Sequence, residues 1–118
     1  MKSGLSLHER RRVLTDSELQ SVPWLAHLLS DERDRIVPEL RVSEAAPGDL
    51  VCRIGRPATY WFGVIDGLLK MNTVTDDGRA ITYSGLAAGG WFGDGTVLKR
   101  ESYRYNIQAL RKSRVAGL

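Results

Sequence analysis

The sequence has a single cysteine, Cys52, two histidines and no long apolar run among its 118 residues. One thiol excludes an intrachain disulfide and fits a reducing compartment. His8 and His27 lie far apart and have no cysteine or carboxylate at metal-ligand spacing, so no metal site is expected. Cys52 has no CxxC partner, which excludes the usual iron–sulfur ligation. No stretch approaches the roughly 20 apolar residues of a membrane span. The N-terminus lacks the apolar core of a signal peptide. A cytoplasmic chain without membrane contact is the expectation. An excess of charge is also lacking: Lys and Arg number 17 against 14 Asp and Glu, for a net +3. That balance is too weak and too dispersed to imply a nucleic-acid surface. The densest basic cluster, Arg10-Arg11-Arg12, reads as a solvated face. No serine or cysteine stands in a nucleophile motif, and Asp76-Asp77 is explained by a hairpin tip. No enzyme is expected.

What is present is a β pattern. Apolar residues make up 42% of the chain, enough for one domain with a core. Residues 1–16 are polar and form a lead-in, either flexible or partly ordered. The domain itself runs over 17–118. Ser17 precedes Glu18, Leu19 and Val22 at helical spacing. Pro23 opens a helix whose apolar face is Trp24, Leu25, Leu28 and Leu29. Ser30 or Asp31 caps a second short helix with Ile36 and Val37 inward, and Pro38 ends it. From residue 39 onward short strands follow one another: 39–43, 50–54, 60–66, 68–74, 80–86, 91–92, 104–110 and 113–118. Turn signals part them at Pro47-Gly48-Asp49, Gly55-Arg56-Pro57, Asp66-Gly67, Asp76-Asp77-Gly78 and Gly89-Gly90. Asp77-Gly78 is the strongest hairpin signal. Many short strands with regular turns predict a sandwich or barrel.

The chemistry concentrates in Gly89-Gly90-Trp91-Phe92-Gly93-Asp94-Gly95-Thr96, followed by Arg104. Glycines let backbone N–H groups approach a phosphate. Arginine gives a phosphate a two-pronged donor. A carboxylate can accept from a ribose hydroxyl, as acidic residues do in dinucleotide sites. The plain alternatives are a tight turn for Gly93 and Gly95, and a helix N-cap over residues 95–99 for Asp94. Trp61, Phe62, Trp91 and Phe92 read as core.

The ordered glycine turns, ending in Phe92-Gly93-Asp94, resemble the cyclic-nucleotide-binding β-roll, over about residues 20–118. The nearest likeness is the sensor domain of bacterial Crp/Fnr transcription regulators. The resemblance implies a mainly β fold, a double-stranded β-helix or jelly roll with short N-terminal helices. It implies an effector-sensing domain whose ligand is cAMP or another cyclic nucleotide. Ligand contacts would come from Gly93, Asp94, Gly95, Thr96, Arg104 and Tyr105. DNA contact would belong to a C-terminal helix-turn-helix beyond Leu118, which makes this chain an excised sensor domain or truncated product. The full-length protein would be a homodimer, and this fragment would self-associate weakly.

The match has departures. Asp94 stands where the family has glutamate, Tyr105 where a small hydroxyl residue belongs, and Asn106 where alanine belongs. A second alignment counts back from Ala109 through Ile107 and puts Tyr103 at the phosphate position. A one-residue slip reverses the face a side chain occupies. Arg104 would then point to solvent, and Tyr103, Tyr105 and Ile107 would line the barrel. A tyrosine there crowds a purine nucleotide. Both registers stand, and so does a ligand-free interaction module that keeps the β-roll but has lost its pocket.

Overall fold

In the computed structural model, residues 11–56, 61–74, 77–92 and 101–118 are described. Strand β1 (Arg12–Val13) leads into helix α1 (Asp16–Gln20), a 3-10 turn (Pro23–His27), helix α2 (Ser30–Ile36) and a second 3-10 turn (Val37–Glu39). The strands β2 (Arg41–Ala45), β3 (Leu50–Cys52), β4 (Phe62–Asp66), β5 (Leu68–Val74), β6 (Ala80–Ala87), β7 (Trp91–Phe92), β8 (Asn106–Ala109) and β9 (Ser113–Gly117) follow. They form two antiparallel sheets, ordered β1-β2-β9-β4-β7 and β3-β8-β5-β6. The mainly β fold read from the sequence is the fold observed. One glycine in each of the five turn signals, namely Gly48, Gly55, Gly67, Gly78 and Gly89, has positive φ, from 85° to 108°. Only glycine adopts such angles without strain.

The alternation of β4 shows how two cores are served by one sheet. Phe62 and Val64 face inward, between the sheets. Ile65 faces outward, under the N-terminal helices. Both sides are covered, so Phe62 through Ile65 are all buried. β9 divides likewise, with Val115 inward and Ala116 outward. The inner core adds Ala45, Val51, Cys52, Leu69, Phe92, Tyr103, Ile107 and Ala109. The outer core joins Leu14, Val22, Leu25 and Leu40 to Val42 of β2.

The helical region departs from its sequence pattern. The segment opened by Pro23 closes as a 3-10 turn and not as an α-helix. Leu25 is buried, while Leu29 is 69% exposed. Leu29, not Ser30 or Asp31, precedes the first turn of α2, and its N–H donates to the Glu32 carboxylate at 2.9 Å. Glu32 thus satisfies the N–H that precedes the helix, a different donor from the N–H groups inside the first turn that a capping serine or aspartate would take. Residues 12–13 of the lead-in pair with β2 as its edge neighbour.

Two glycines are required by close approach. Gly63 lies opposite Trp91 in the β4–β7 ladder, and a Cβ there would fall within the indole. Gly67 has φ 108°, and its Cβ would overlap the Ser113 side chain. Over Gly63 the three tryptophans gather. Trp24 stacks on Trp61 at 5.0 Å and meets Trp91 edge-on at 5.2 Å, and Trp61 and Trp91 are 4.8 Å apart. Such pairs contribute about 0.5–1.5 kcal/mol each beyond their buried area. Among the described residues the buried Trp24 and Trp91 indole N–H groups find no hydrogen-bond partner, which offsets part of that gain.

Candidate ligand-binding site

The segment from β7 to β8 was expected to carry the ligand contacts. Gly93, Asp94, Gly95 and Thr96 lie outside the described residues, as does the short helix expected over residues 95–99. Beyond them the chain returns through Tyr103, whose backbone fixes the register. The Tyr103 N–H donates to the Arg56 carbonyl at 3.0 Å, and the Gly55 N–H donates to the Tyr103 carbonyl at 2.9 Å. β8 then runs between β3 and β5, with Ile107 and Ala109 buried. Asn106 holds this corner. Its Oδ1 accepts from the Ile54 N–H at 2.8 Å, and its Nδ2 donates to Asn72 Oδ1 at 3.4 Å.

Of the two registers the sequence left open, the geometry adopts the one with Tyr103 inward. Tyr103 is 5% exposed. Arg104 points away: its side chain is 85% exposed and stands 4.0 Å from the Glu101 carboxylate. Its carbonyl accepts from the Thr73 hydroxyl at 3.1 Å, which holds the backbone in that sense. Tyr105 is half-buried and packs on the inner core, its ring 5.8 Å from that of Tyr103 and tilted by 56°. Arg104 and Tyr105 are therefore not brought to one surface.

Tyr103 shares the inner core with Cys52 of β3, 2% exposed. Burial pushes the Cys52 thiol up to about 12, against the smaller opposing effect of the Tyr103 hydroxyl. Burial also raises the Tyr103 phenol. Both groups are neutral at any ordinary pH, and this thiol is no nucleophile. No cation belongs to the inner cluster among the described residues.

A second constellation escaped the sequence reading. Glu18 of α1 is 1% exposed. Arg12 grips its carboxylate with two bonds, 2.7 and 2.9 Å, and Arg114 of β9 adds a third at 2.9 Å. Thr15 and Glu18 also form a reciprocal cap at the start of α1. Arg114 reaches onward to Asp66 at 2.6 Å. The Arg12 bonds lead in holding the Glu18 carboxyl down at about 2. Thr15-x-x-Glu18 is the capping-box pattern and was the available signal. The network borders an open cleft of about 500 Å³, flanked by Glu44, Arg111 and Lys112. Its carboxylates already neutralise much of the positive charge there.

Among the described residues no helix is long and apolar enough to cross a membrane. Comparison with known proteins gives consistent likenesses. A protein named as a potassium channel protein of Rhodopseudomonas palustris is 28% identical over 113 residues, which is 95% of this chain and 27% of that protein. The regulatory domain of Toxoplasma gondii PKA, solved with cAMP, is 25% identical at a TM-score of 0.76, with 87% of this chain and 40% of that one covered. The N-terminal domain of a transcriptional regulator from Streptomyces coelicolor is 19% identical at a TM-score of 0.73, with 87% and 74% covered. The chain spans well under half of the first two relatives. The cyclic nucleotide-binding domain pattern matches residues 42–118, from the second residue of β2 to the last residue of the chain. With two sheets closing on one inner core and that pattern running across both, the chain belongs to the cyclic nucleotide-binding domain family.

Proposed function

We propose that this chain is the effector-sensing domain of a Crp/Fnr-type transcription regulator. The observation that carries the reading is the family pattern across both sheets, joined to a fold shared with the N-terminal domain of the Streptomyces regulator. In this reading residues 17–118 sense the effector and residues 1–16 are a lead-in arm. A small molecule binds between the sheets, next to the glycine-rich segment Gly93-Asp94-Gly95-Thr96. It acts by binding one conformation better than another. DNA contact and dimerisation belong to a C-terminal part of the full-length cytoplasmic protein. The natural gene product, taken to its stop codon, is expected to retard promoter DNA in an effector-dependent manner. Residues 1–118 alone are expected not to. Specific retardation by residues 1–118 would overturn this division of labour.

A second reading is a ligand-free interaction module. The burial of Tyr103 and the outward direction of Arg104 favour it. Thermal unfolding with millimolar nucleosides and cyclic nucleotides separates the two. A ligand at a hundred times its Kd adds about 2.7 kcal/mol to the folded state. A raised Tm is expected for the sensor, and no shift with any ligand for the module.

A further inference from the structure

We propose that the open cleft beside the Glu18 network is a second ligand site, which takes a small phosphomonoester bearing hydroxyl groups, of the sugar-phosphate kind. The site shares no residue with the glycine-rich segment, and the inference does not depend on the sensor reading.

Strand register lays out one wall of the cleft. Glu44 of β2 and Asp66 of β4 stand opposite Arg114 of β9 from its two sides. Residues paired directly across antiparallel strands share a face, so the three side chains form one row. Arg114 is fully committed within it. Its Nε and Nη2 donate to Asp66 Oδ2 at 3.0 and 2.6 Å, and its Nη1 donates to Glu18 Oε2 at 2.9 Å. Arg12 is committed to Glu18 by both terminal nitrogens. Glu44 is left over: among the described residues its carboxylate enters no ion pair.

Arg111 and Lys112 carry the surplus of opposite sign. They lie in the turn between β8 and β9, are exposed, and border the same cleft. Among the described residues neither forms an ion pair. Their turn is tied to the neighbouring Gly67 turn. The Leu110 N–H donates to the Leu68 carbonyl at 2.9 Å, and the Arg114 N–H donates to Asp66 Oδ1 at 3.1 Å. Ser113, 1% exposed, donates to the Arg111 carbonyl at 2.8 Å and accepts from the Leu68 N–H at 3.1 Å. A backbone held in this way loses little further freedom when a ligand binds.

These charges select the ligand. Arg12, Arg111, Lys112 and Arg114 line the cleft against the carboxylates of Glu44 and Asp66. With Arg12 and Arg114 paired, the like charges of Arg111 and Lys112 remain side by side and repel. An oxyanion relieves that repulsion. Arginine offers a phosphate a planar fork, and lysine a point charge. A bare anion leaves Glu44 without a partner, and a polyanion such as nucleic acid is repelled by both carboxylates. Hydroxyl groups carried next to the phosphate use Glu44, because a carboxylate accepts hydrogen bonds. The cleft volume of about 500 Å³ suits a ligand of that size.

The test is a proton–nitrogen NMR titration of the chain with ribose 5-phosphate and with inorganic phosphate, at an ionic strength held constant with sodium chloride. Ribose 5-phosphate is expected to shift the Gly67, Lys112, Ser113 and Arg114 amides to saturation. It is expected to bind at least fivefold more tightly than inorganic phosphate. Arg111→Ala combined with Lys112→Ala is expected to weaken ribose 5-phosphate at least tenfold. Glu44→Gln is expected to narrow the gap between the two ligands. Far-ultraviolet circular dichroism establishes that each variant is folded. If a variant does not fold, the wild-type ratio and the location of the shifts decide. Absence of saturating shifts at these amides overturns the inference. So does inorganic phosphate that binds as tightly as ribose 5-phosphate, and so does a folded double variant whose affinity is unchanged.

Discussion

At the scale of single residues, Tyr103 and Glu18 show what one side chain decides. Tyr103 fills inner-core volume in the cluster that also holds the buried Cys52. Tyr103→Ala removes the ring and leaves a cavity beside Cys52. Large-to-small changes of this kind cost about 3–5 kcal/mol. Tyr103→Phe keeps the ring and loses only the interactions of its hydroxyl, for about 1 kcal/mol. Urea titration of both variants should reproduce this separation, and equal losses would mean that the hydroxyl, not the ring, holds the site. Glu18 is the acid-sensitive point. Its folded pKa of about 2 lies below its ordinary 4.5. The unfolded chain therefore takes up the proton first as pH falls. Stability from Glu18 is complete above about pH 4.5 and is lost as pH drops toward 2. The loss should be about 2–3 kcal/mol, since the arginine partners are partly solvated. Glu18→Gln should flatten that limb of a stability-against-pH profile. An unchanged profile would place the acid sensitivity elsewhere.

At the scale of elements, turns were legible and contacts between distant segments were not. Gly48, Gly55, Gly67, Gly78 and Gly89 announced the strand ends, because few other residues accept their φ. β1 was missed because two exposed residues, Arg12 and Val13, carry no alternation to read. The Glu18 network was missed because Arg114 lies 96 positions away. The direction of Arg104 hung on a single residue of slip, and backbone bonds to the Gly55–Arg56 turn fix it. The turn at Gly67 supplies an element-level prediction. Gly67→Ala meets both an unfavourable φ and the Ser113 side chain, which bonds the Leu68 N–H. The two penalties should sum to about 2–4 kcal/mol. Gly48→Ala has an unfavourable φ but open space around its Cβ, and should cost about 1 kcal/mol. Thermal unfolding should rank the two in that order. A larger loss at Gly48 would contradict the account.

At the scale of the whole molecule, the outer face of the five-stranded sheet depends on the N-terminal segment. Leu14, Val22 and Leu25 cover Val42, Ile65 and Ala116. Deleting residues 1–28 should expose that face and give a chain that binds hydrophobic dyes and aggregates. A monodisperse, dye-negative truncation would show that the sheet stands without its cover. The tryptophans add an optical consequence. The sequence has three, and all three meet in one cluster on this outer side. Their emission comes from one place, the junction of the Pro23–His27 turn with the sheet edge. Tyr103 and Tyr105 lie instead against the inner core. Among the described side chains, the tryptophans and these two tyrosines thus report on different cores. Excitation at the red edge, where only indole absorbs, follows the undocking of the N-terminal segment, while the part of the near-ultraviolet tyrosine bands that Tyr103→Phe and Tyr105→Phe remove follows the opening of the roll. Coincidence of the two signals along a denaturant series means the cores melt as one cooperative unit, and a gap between them measures how far the cover comes off before the roll gives way.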